Sequence, residues 1–164
     1  MVFESEEFYI DSIENHNIED ICKIYNSDPQ FLLKHLGSQK VTREWVLGEI
    51  TSARKSGFQL CIIIEKCSGN KIGILDFKTA EETYLSLLFI HNDFKGRGIG
   101  KKVFTNFEKY ITSLNSKCIR IDVVQDYDDS VFNFWINNGF SEFQKAELDW
   151  SGNILSAITL KKHL

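Results

Sequence analysis

Two adjoining stretches organise this chain: Tyr84-Leu85-Ser86-Leu87-Leu88-Phe89-Ile90, and after it Phe94-Lys95-Gly96-Arg97-Gly98-Ile99-Gly100-Lys101-Lys102. The first is rich in apolar and aromatic residues and predicts a strand. After Gly98, apolar residues recur at Ile99, Val103, Phe107, Tyr110 and Leu114, the spacing of one helix face. Between strand and helix lie glycines at alternate positions. Glycine turns the backbone tightly and leaves its N–H uncovered by a side chain. Those N–H groups join the positive end of the helix dipole, so the junction is an anion site. Lys95, Arg97, Lys101 and Lys102 add positive charge, and a phosphate or pyrophosphate is the expected guest. Two familiar phosphate loops do not fit. The dinucleotide pattern G-x-G-x-x-G, started at Gly96, meets Lys101 where its third glycine belongs. A P-loop ending at Gly100-Lys101 needs Gly at 95 and Ser or Thr at 102, and both positions are Lys.

Outward from this junction, Ile119, Ile121 and Val123 alternate as a strand. The segment 84–90, the helix and 119–123 make a crossover unit, which predicts parallel neighbours. Upstream, Phe8 to Ile13 reads as a short strand. Ile18, Ile21, Cys22 and Tyr25 form a helix face that Pro29 is expected to close. Thr42 caps a further helix through Val46, Ile50 and Ala53 to Gly57. Leu60 to Ile64 is a continuous apolar run, the mark of a strand covered on both faces. Ser68-Gly69-Asn70 turns it into Ile72 to Phe77. Val131, Phe134 and Trp135 mark a short helix stopped at Gly139. The tail is a hairpin, Phe140 to Trp150 and Ile154 to Leu160, around Ser151-Gly152-Asn153. The prediction is one α/β (α+β) domain over 1–164, with a mixed, mostly antiparallel sheet of about seven strands and about four helices.

Composition agrees. A chain of 164 residues with 43% hydrophobic residues and 13 Phe can build a core unaided. Disorder and collagen-like repeats are excluded by the aromatic content, one Pro and ten Gly. No apolar run approaches the ~18 residues of a membrane span. The net charge of −4 argues against nucleic acid and anionic membrane as partners and suits a cationic substrate. Cys22, Cys61, Cys67 and Cys118 form no Cys-x-x-Cys pair, and His16, His35, His91 and His163 are scattered, so no metal is expected. Glu4, Glu6 and Glu7 stand where a signal peptide needs bases; with reduced thiols, a cytoplasmic location is the expectation.

Lys95-Gly96-Arg97-Gly98-Ile99-Gly100, between strand and helix, resembles the [Q/R]-x-x-G-x-[G/A] acetyl-coenzyme A motif of the GCN5-related N-acetyltransferases. Asp128 through Phe134-Trp135-Ile136-Asn137-Asn138-Gly139-Phe140 resembles a later segment of that family, N-x-x-A-x-x-[F/L]-Y-x-x-x-G-F. The order of elements matches over nearly the whole chain. The resemblance implies acetyl transfer from acetyl-coenzyme A, without a metal, to a primary amine: a small molecule, a protein N-terminus or a lysine. It implies that the pyrophosphate rests on the backbone of Lys95, Gly96, Arg97, Gly98, Ile99, Gly100 and Lys101. It implies that the pantetheine arm lies along Leu88, Phe89 and Ile90 like an added strand. Asp128 takes the place of the motif's Asn, and Val131 that of its Ala. Homodimers are common among relatives, and nothing in this sequence specifies one.

One departure bears on the chemistry. Trp135 stands where a Tyr often protonates the leaving thiolate, and indole N–H is no useful acid. Tyr127, in the preceding loop, is the candidate replacement. Asp122, alternating away from the apolar residues of its strand, is the candidate base, with an ion pair to Arg120 as its structural alternative. Glu81, Glu82, Asp76 and His91 are further candidates, and nothing in the sequence singles out Asp76. Acceptor pockets in this family come from the first helices and the last hairpin, which here carry Phe31, His35, Trp45, Glu147, Asp149 and Trp150. The reading from a second class is a coenzyme A-binding sensor or regulatory module that has lost catalysis.

Overall fold

A computed structural model describes residues 1–164. Eight strands form one sheet: β1 (Phe3–Glu4), β2 (Phe8–Ser12), β3 (Gln59–Glu65), β4 (Lys71–Lys78), β5 (Glu82–Ile90), β6 (Cys118–Val124), β7 (Ser141–Trp150) and β8 (Asn153–His163). The spatial order is β1-β2-β3-β4-β5-β6-β8-β7. Every neighbouring pair is antiparallel except β5 and β6, as the crossover pattern requires. Five α-helices complete the fold: α1 (Ile18–Asn26), α2 (Pro29–Leu36), α3 (Arg43–Lys55), α4 (Ile99–Ser113) and α5 (Asp129–Asn137).

Two elements exceed the expected number. The added strand is the two-residue β1, too short to carry an alternation pattern. The added helix is α2. Pro29 does not close the first helix; it opens the second at N1, where its missing N–H costs nothing. The Asp28 carboxylate caps this helix by accepting from the Phe31 N–H at 3.1 Å, and Gly37 ends it in the left-handed conformation, φ 73°.

The sheet is covered on both faces. Cys61 and Ile63 of β3 join Leu75, Phe77 and Leu85 under the α4 side chains Val103, Phe104, Phe107 and Ile111. Leu60 and Ile62 point the other way, with Ile74, Leu87 and Phe89, beneath Ile21 and Tyr25 of α1 and Val46 and Ile50 of α3. A strand that must be apolar on both sides reads as a continuous run, which is why 60–64 shows no alternation. On α4 the buried stripe ends at Ile111, and Leu114 is exposed.

Two irregularities shape the middle of the sheet. Asp76 pairs with Leu87 and the next pair is Phe77 with Leu85, so Ser86 is the extra residue of a β-bulge. Strand β5 pairs with β6 only at Glu82, Thr83 and Tyr84. Beyond Tyr84 the parallel strands separate and leave a wedge between them.

Gly73 sets the alignment of β5. A Cβ built there would stand 2.5 Å from the Phe89 carbonyl oxygen, closer than side chains approach backbone. Gly73→Ala should therefore lower stability by about 1–3 kcal/mol, read from denaturant midpoints, whereas the same change at open Gly48, inside α3, should raise it by about 0.5–1 kcal/mol.

Candidate active site

The loop after β5 has the conformation its glycines suggest. Gly96 and Gly98 adopt φ of 76° and 74°, and Gly98 is the N-cap of α4. From Gly96 through Lys101 no backbone N–H finds a backbone acceptor. Successive N–H groups exposed at a helix N-terminus form a concave anion site. The surrounding charge is more divided than the sequence suggests. Lys95 is ion-paired to Asp28, and Lys102 to Glu7 at 2.7 Å. Arg97, stacked over Phe94, and Lys101 form no ion pair and supply the positive field. The Lys95–Asp28 pair ties the loop to the start of α2.

Beside the edge of β5 that β6 leaves free, the wedge holds a cavity of about 650 Å³. Its walls are Leu88, Phe89 and Ile90 of β5, the glycine loop, and Tyr127, Asp128, Val131, Phe134 and Trp135 from α5 and the segment before it. The residues expected to meet the cofactor are thus brought together, apart from Arg97, whose side chain turns to Phe94. Gly100 faces this space: the nearest atoms to a Cβ there would be the Phe134 ring at 3.6 Å and Ile90 at 4.0 Å, ordinary contacts. Asp128 caps α5 by accepting from the Ser130 N–H at 2.9 Å; hydrogen bonding by Ser130, its side chain first and then this N–H, lowers the Asp128 pKa. Trp135 is buried against Phe104, Phe134 and Phe140.

Tyr127 is half-buried. With Phe31, His35 and Trp150 it forms an aromatic cluster at the closed end of the wedge, His35 lying 5.2 Å from Tyr127 and 5.1 Å from Trp150. Burial, then the charges of Asp28 and Asp128, push the Tyr127 phenol up to about 12, so it keeps its proton near neutral pH. His35 is 5% exposed; its Nδ1–H donates to the Phe31 carbonyl at 2.8 Å, and burial lowers its pKa, keeping the ring neutral. A smaller cavity of about 90 Å³ lies here, touching Asp122, Ser86 and Leu88. The Asp122 carboxylate, with its side chain 6% exposed, accepts from Arg120 at 3.0 Å and from the Thr159 hydroxyl at 2.6 Å.

A third cavity, about 330 Å³, lies on the opposite side of the bulge among α1, α3, β4, β5 and β7. It shares Ser86, Leu87, Leu148 and Trp150 with the smaller one, so the spaces meet at the bulge. Asp149 and Trp150 reach it from the hairpin; Trp45 packs instead against Tyr25 at 5.5 Å, and Glu147 is exposed. At its floor lies Asp76. This carboxyl is 9% exposed and its Oδ1 has no hydrogen-bond partner. Burial raises its pKa to about 8, with the Cys61 N–H pulling the other way. No sequence signal marks Asp76, because its environment is assembled from distant elements.

The sequence pattern of the Acetyltransferase (GNAT) family matches residues 18–140, from α1 to the residue after Gly139. The chain belongs to this family. It is therefore an acyltransferase, and it shares its fold with solved GNAT structures. An acetyltransferase from Thermus thermophilus superimposes with a TM-score of 0.79 at 18% identity, over 96% of this chain and 97% of that one. The PaiA N-acetyltransferase of Thermoplasma acidophilum, solved with coenzyme A, gives 0.65 at 16% identity over 96% and 99%. A ribosomal-protein-alanine N-acetyltransferase from Brucella melitensis gives 0.69 at 14% identity over 95% and 99%. No curated protein matches the chain.

The Asp76 carboxyl has a thermodynamic signature. Its pKa is about 8 folded and near 3.9 unfolded, so between these values the native state binds the extra proton. Stability must then fall as pH rises through that window. Relative to Asp76→Asn, the ligand-free protein should lose an amount on the order of a few kcal/mol between about pH 4 and pH 8, and the difference should level off above that. Paired denaturation curves across pH measure it; a pH-independent difference would mean Asp76 is ionised throughout.

Proposed function

We propose that this GNAT protein transfers the acetyl group of acetyl-coenzyme A to a primary amine by direct attack, with no acyl-enzyme intermediate. One observation carries the reading: a free N–H nest at the start of α4 opens into a wedge that continues through the small cavity to the bulge at Ser86, and a further cavity reaches the same bulge from the other face. Pyrophosphate would rest on the N–H groups of residues 96–101, the Lys95 N–H being held by the Asn92 carbonyl, with Arg97 and Lys101 nearby. The pantetheine arm would lie along Leu88, Phe89 and Ile90, whose edge is left open where β6 departs. When bound, acetyl-coenzyme A supplies a thioester activated for acyl transfer.

Around that thioester the chain's own groups divide the work. An N–H of the β5 edge would donate a hydrogen bond to the carbonyl oxygen as negative charge develops on it. Tyr127, kept protonated by burial and lining the wedge, is the candidate donor to the leaving thiolate, where Trp135 cannot serve. The aromatic cluster of Phe31, His35, Tyr127 and Trp150 gives the meeting point largely apolar walls. Asp122 is the sequence candidate for the base; used so, it would have to leave its Arg120 ion pair.

A second reading, a coenzyme A-binding sensor without turnover, draws on Trp135 alone. Release of coenzyme A with any amine at an enzymic rate would dismiss it.

Calorimetric titration with acetyl-coenzyme A should give micromolar affinity. Gly98→Val forces a β-branched residue into a left-handed position at the helix cap. It should weaken that binding by about 100-fold or more, since it misdirects several N–H groups at once, each charge-assisted bond being worth about 1.5–3 kcal/mol. A folded Gly98→Val protein with unchanged affinity would place the cofactor elsewhere.

A further inference from the structure

We propose that the cavity over Asp76 is the acceptor site, that it takes a compact primary amine with an apolar body and no anionic group, and that Asp76 receives the ammonium proton. The inference rests on the acetyltransferase reading and supplies the two roles it leaves open, acceptor class and base.

The chemistry of the walls selects the ligand. The ionisable groups on this cavity are Tyr25 from α1, Glu49 from α3, Asp76 from β4, Tyr84 from β5 and Asp149 from β7; no Lys, Arg or His lines it. Cys61 of β3 also neighbours Asp76, and burial holds that thiol protonated. An anionic group would meet the carboxylates of Glu49 and Asp149, and that of Asp76 once ionised, without a counter-ion. A cation meets them together with the rings of Phe58, Tyr84 and Trp150. The remaining lining is largely aliphatic, which suits an apolar body. About 330 Å³ accommodates a small molecule. The β7–β8 turn is fastened over this side: the Ser151 hydroxyl donates to Glu49 at 2.7 Å, and Asn153 Nδ2 donates to the His35 carbonyl at 2.8 Å. That closure leaves little room for a protein terminus.

Asp76 is the carboxyl with an unused oxygen. Its Oδ1 is buried without a partner, and the bulge opposite it is where the two cavities meet. Asp122 has Arg120 and Thr159 on its oxygens. An entering ammonium supplies the missing donor. It passes one proton to Asp76, and the freed nitrogen lone pair forms the C–N bond to the thioester carbonyl carbon. As the C–S bond breaks, its electron pair leaves on sulfur. The second nitrogen proton ends on that sulfur as the coenzyme A thiol, and Asp76 releases its proton to water.

The test compares 2-phenylethylamine with phenylalanine and with a tripeptide bearing a free N-terminus, in wild type and Asp76→Asn. For 2-phenylethylamine, kcat/KM should exceed that for phenylalanine by about tenfold or more, the difference being one carboxylate. Its pH profile should rise with a midpoint near pH 8 and fall where the amine itself loses its proton. Asp76→Asn should lower kcat/KM about 100-fold at pH 7.5 and turn the bell into a continuous rise. Calorimetry without cofactor should show 2-phenylethylamine binding at least about tenfold weaker to the variant. Acetyl-coenzyme A affinity should stay within about threefold, which also reports that the variant is folded. An unchanged profile and amine affinity in Asp76→Asn would overturn the inference and leave the acetyltransferase reading standing. Loss of the bell in Asp122→Asn instead would move the base to Asp122, and preference for phenylalanine or the peptide would overturn the acceptor class. Absence of turnover with all three despite bound acetyl-coenzyme A would overturn the acceptor class and leave the acetyltransferase reading standing with another acceptor.

Discussion

Strand β5 can pair on both edges for only part of its length. It joins β6 at Glu82, Thr83 and Tyr84, then leaves it, and the bulge at Ser86 falls just past the point of parting. The separation opens N–H and C=O groups that a continuous sheet would satisfy internally. Such groups are costly to bury and easily paired by an amide-bearing ligand. The wedge has to be held open by something, and the fold supplies α5 on one side and the glycine loop on the other. Gly73 belongs to the same constraint, since its missing Cβ lets β5 lie close on the opposite edge.

Charge is sorted across the bulge. On the wedge side the N-terminus of α4, Arg97 and Lys101 present a positive field. On the other side the cavity carries Glu49, Asp76 and Asp149. The ion pairs Lys95–Asp28 and Lys102–Glu7 fix the loop to its surroundings and reduce the field to what the N–H nest and two side chains provide. An anionic cofactor and a cationic acceptor would thus approach one point from opposite faces.

What the sequence makes legible is local. The glycine loop is a backbone device encoded in a few neighbouring residues, and Gly96 and Gly98 adopt the left-handed conformation that makes them necessary. The Arg120–Asp122 pair is legible because residues two apart on a strand share a face. Pro29 misleads because proline both ends helices and begins them, and only the Asp28 cap and the Phe31 N–H decide between the two. Asp76 is beyond reach. Its neighbours come from α1, α3, β3, β5 and β7, and the lack of a partner on Oδ1 is a property of the assembled cavity. The same holds for His35 and Tyr127, whose contact joins α2 to the loop before α5.

A crystal structure of the complex with coenzyme A tests the central claim most directly. The account predicts pyrophosphate on the N–H groups between Gly96 and Lys101, pantetheine alongside Leu88 to Ile90, and the thiol at the Ser86 bulge, within reach of the cavity over Asp76. Coenzyme A bound outside the wedge, or with its thiol turned away from the bulge, would contradict it.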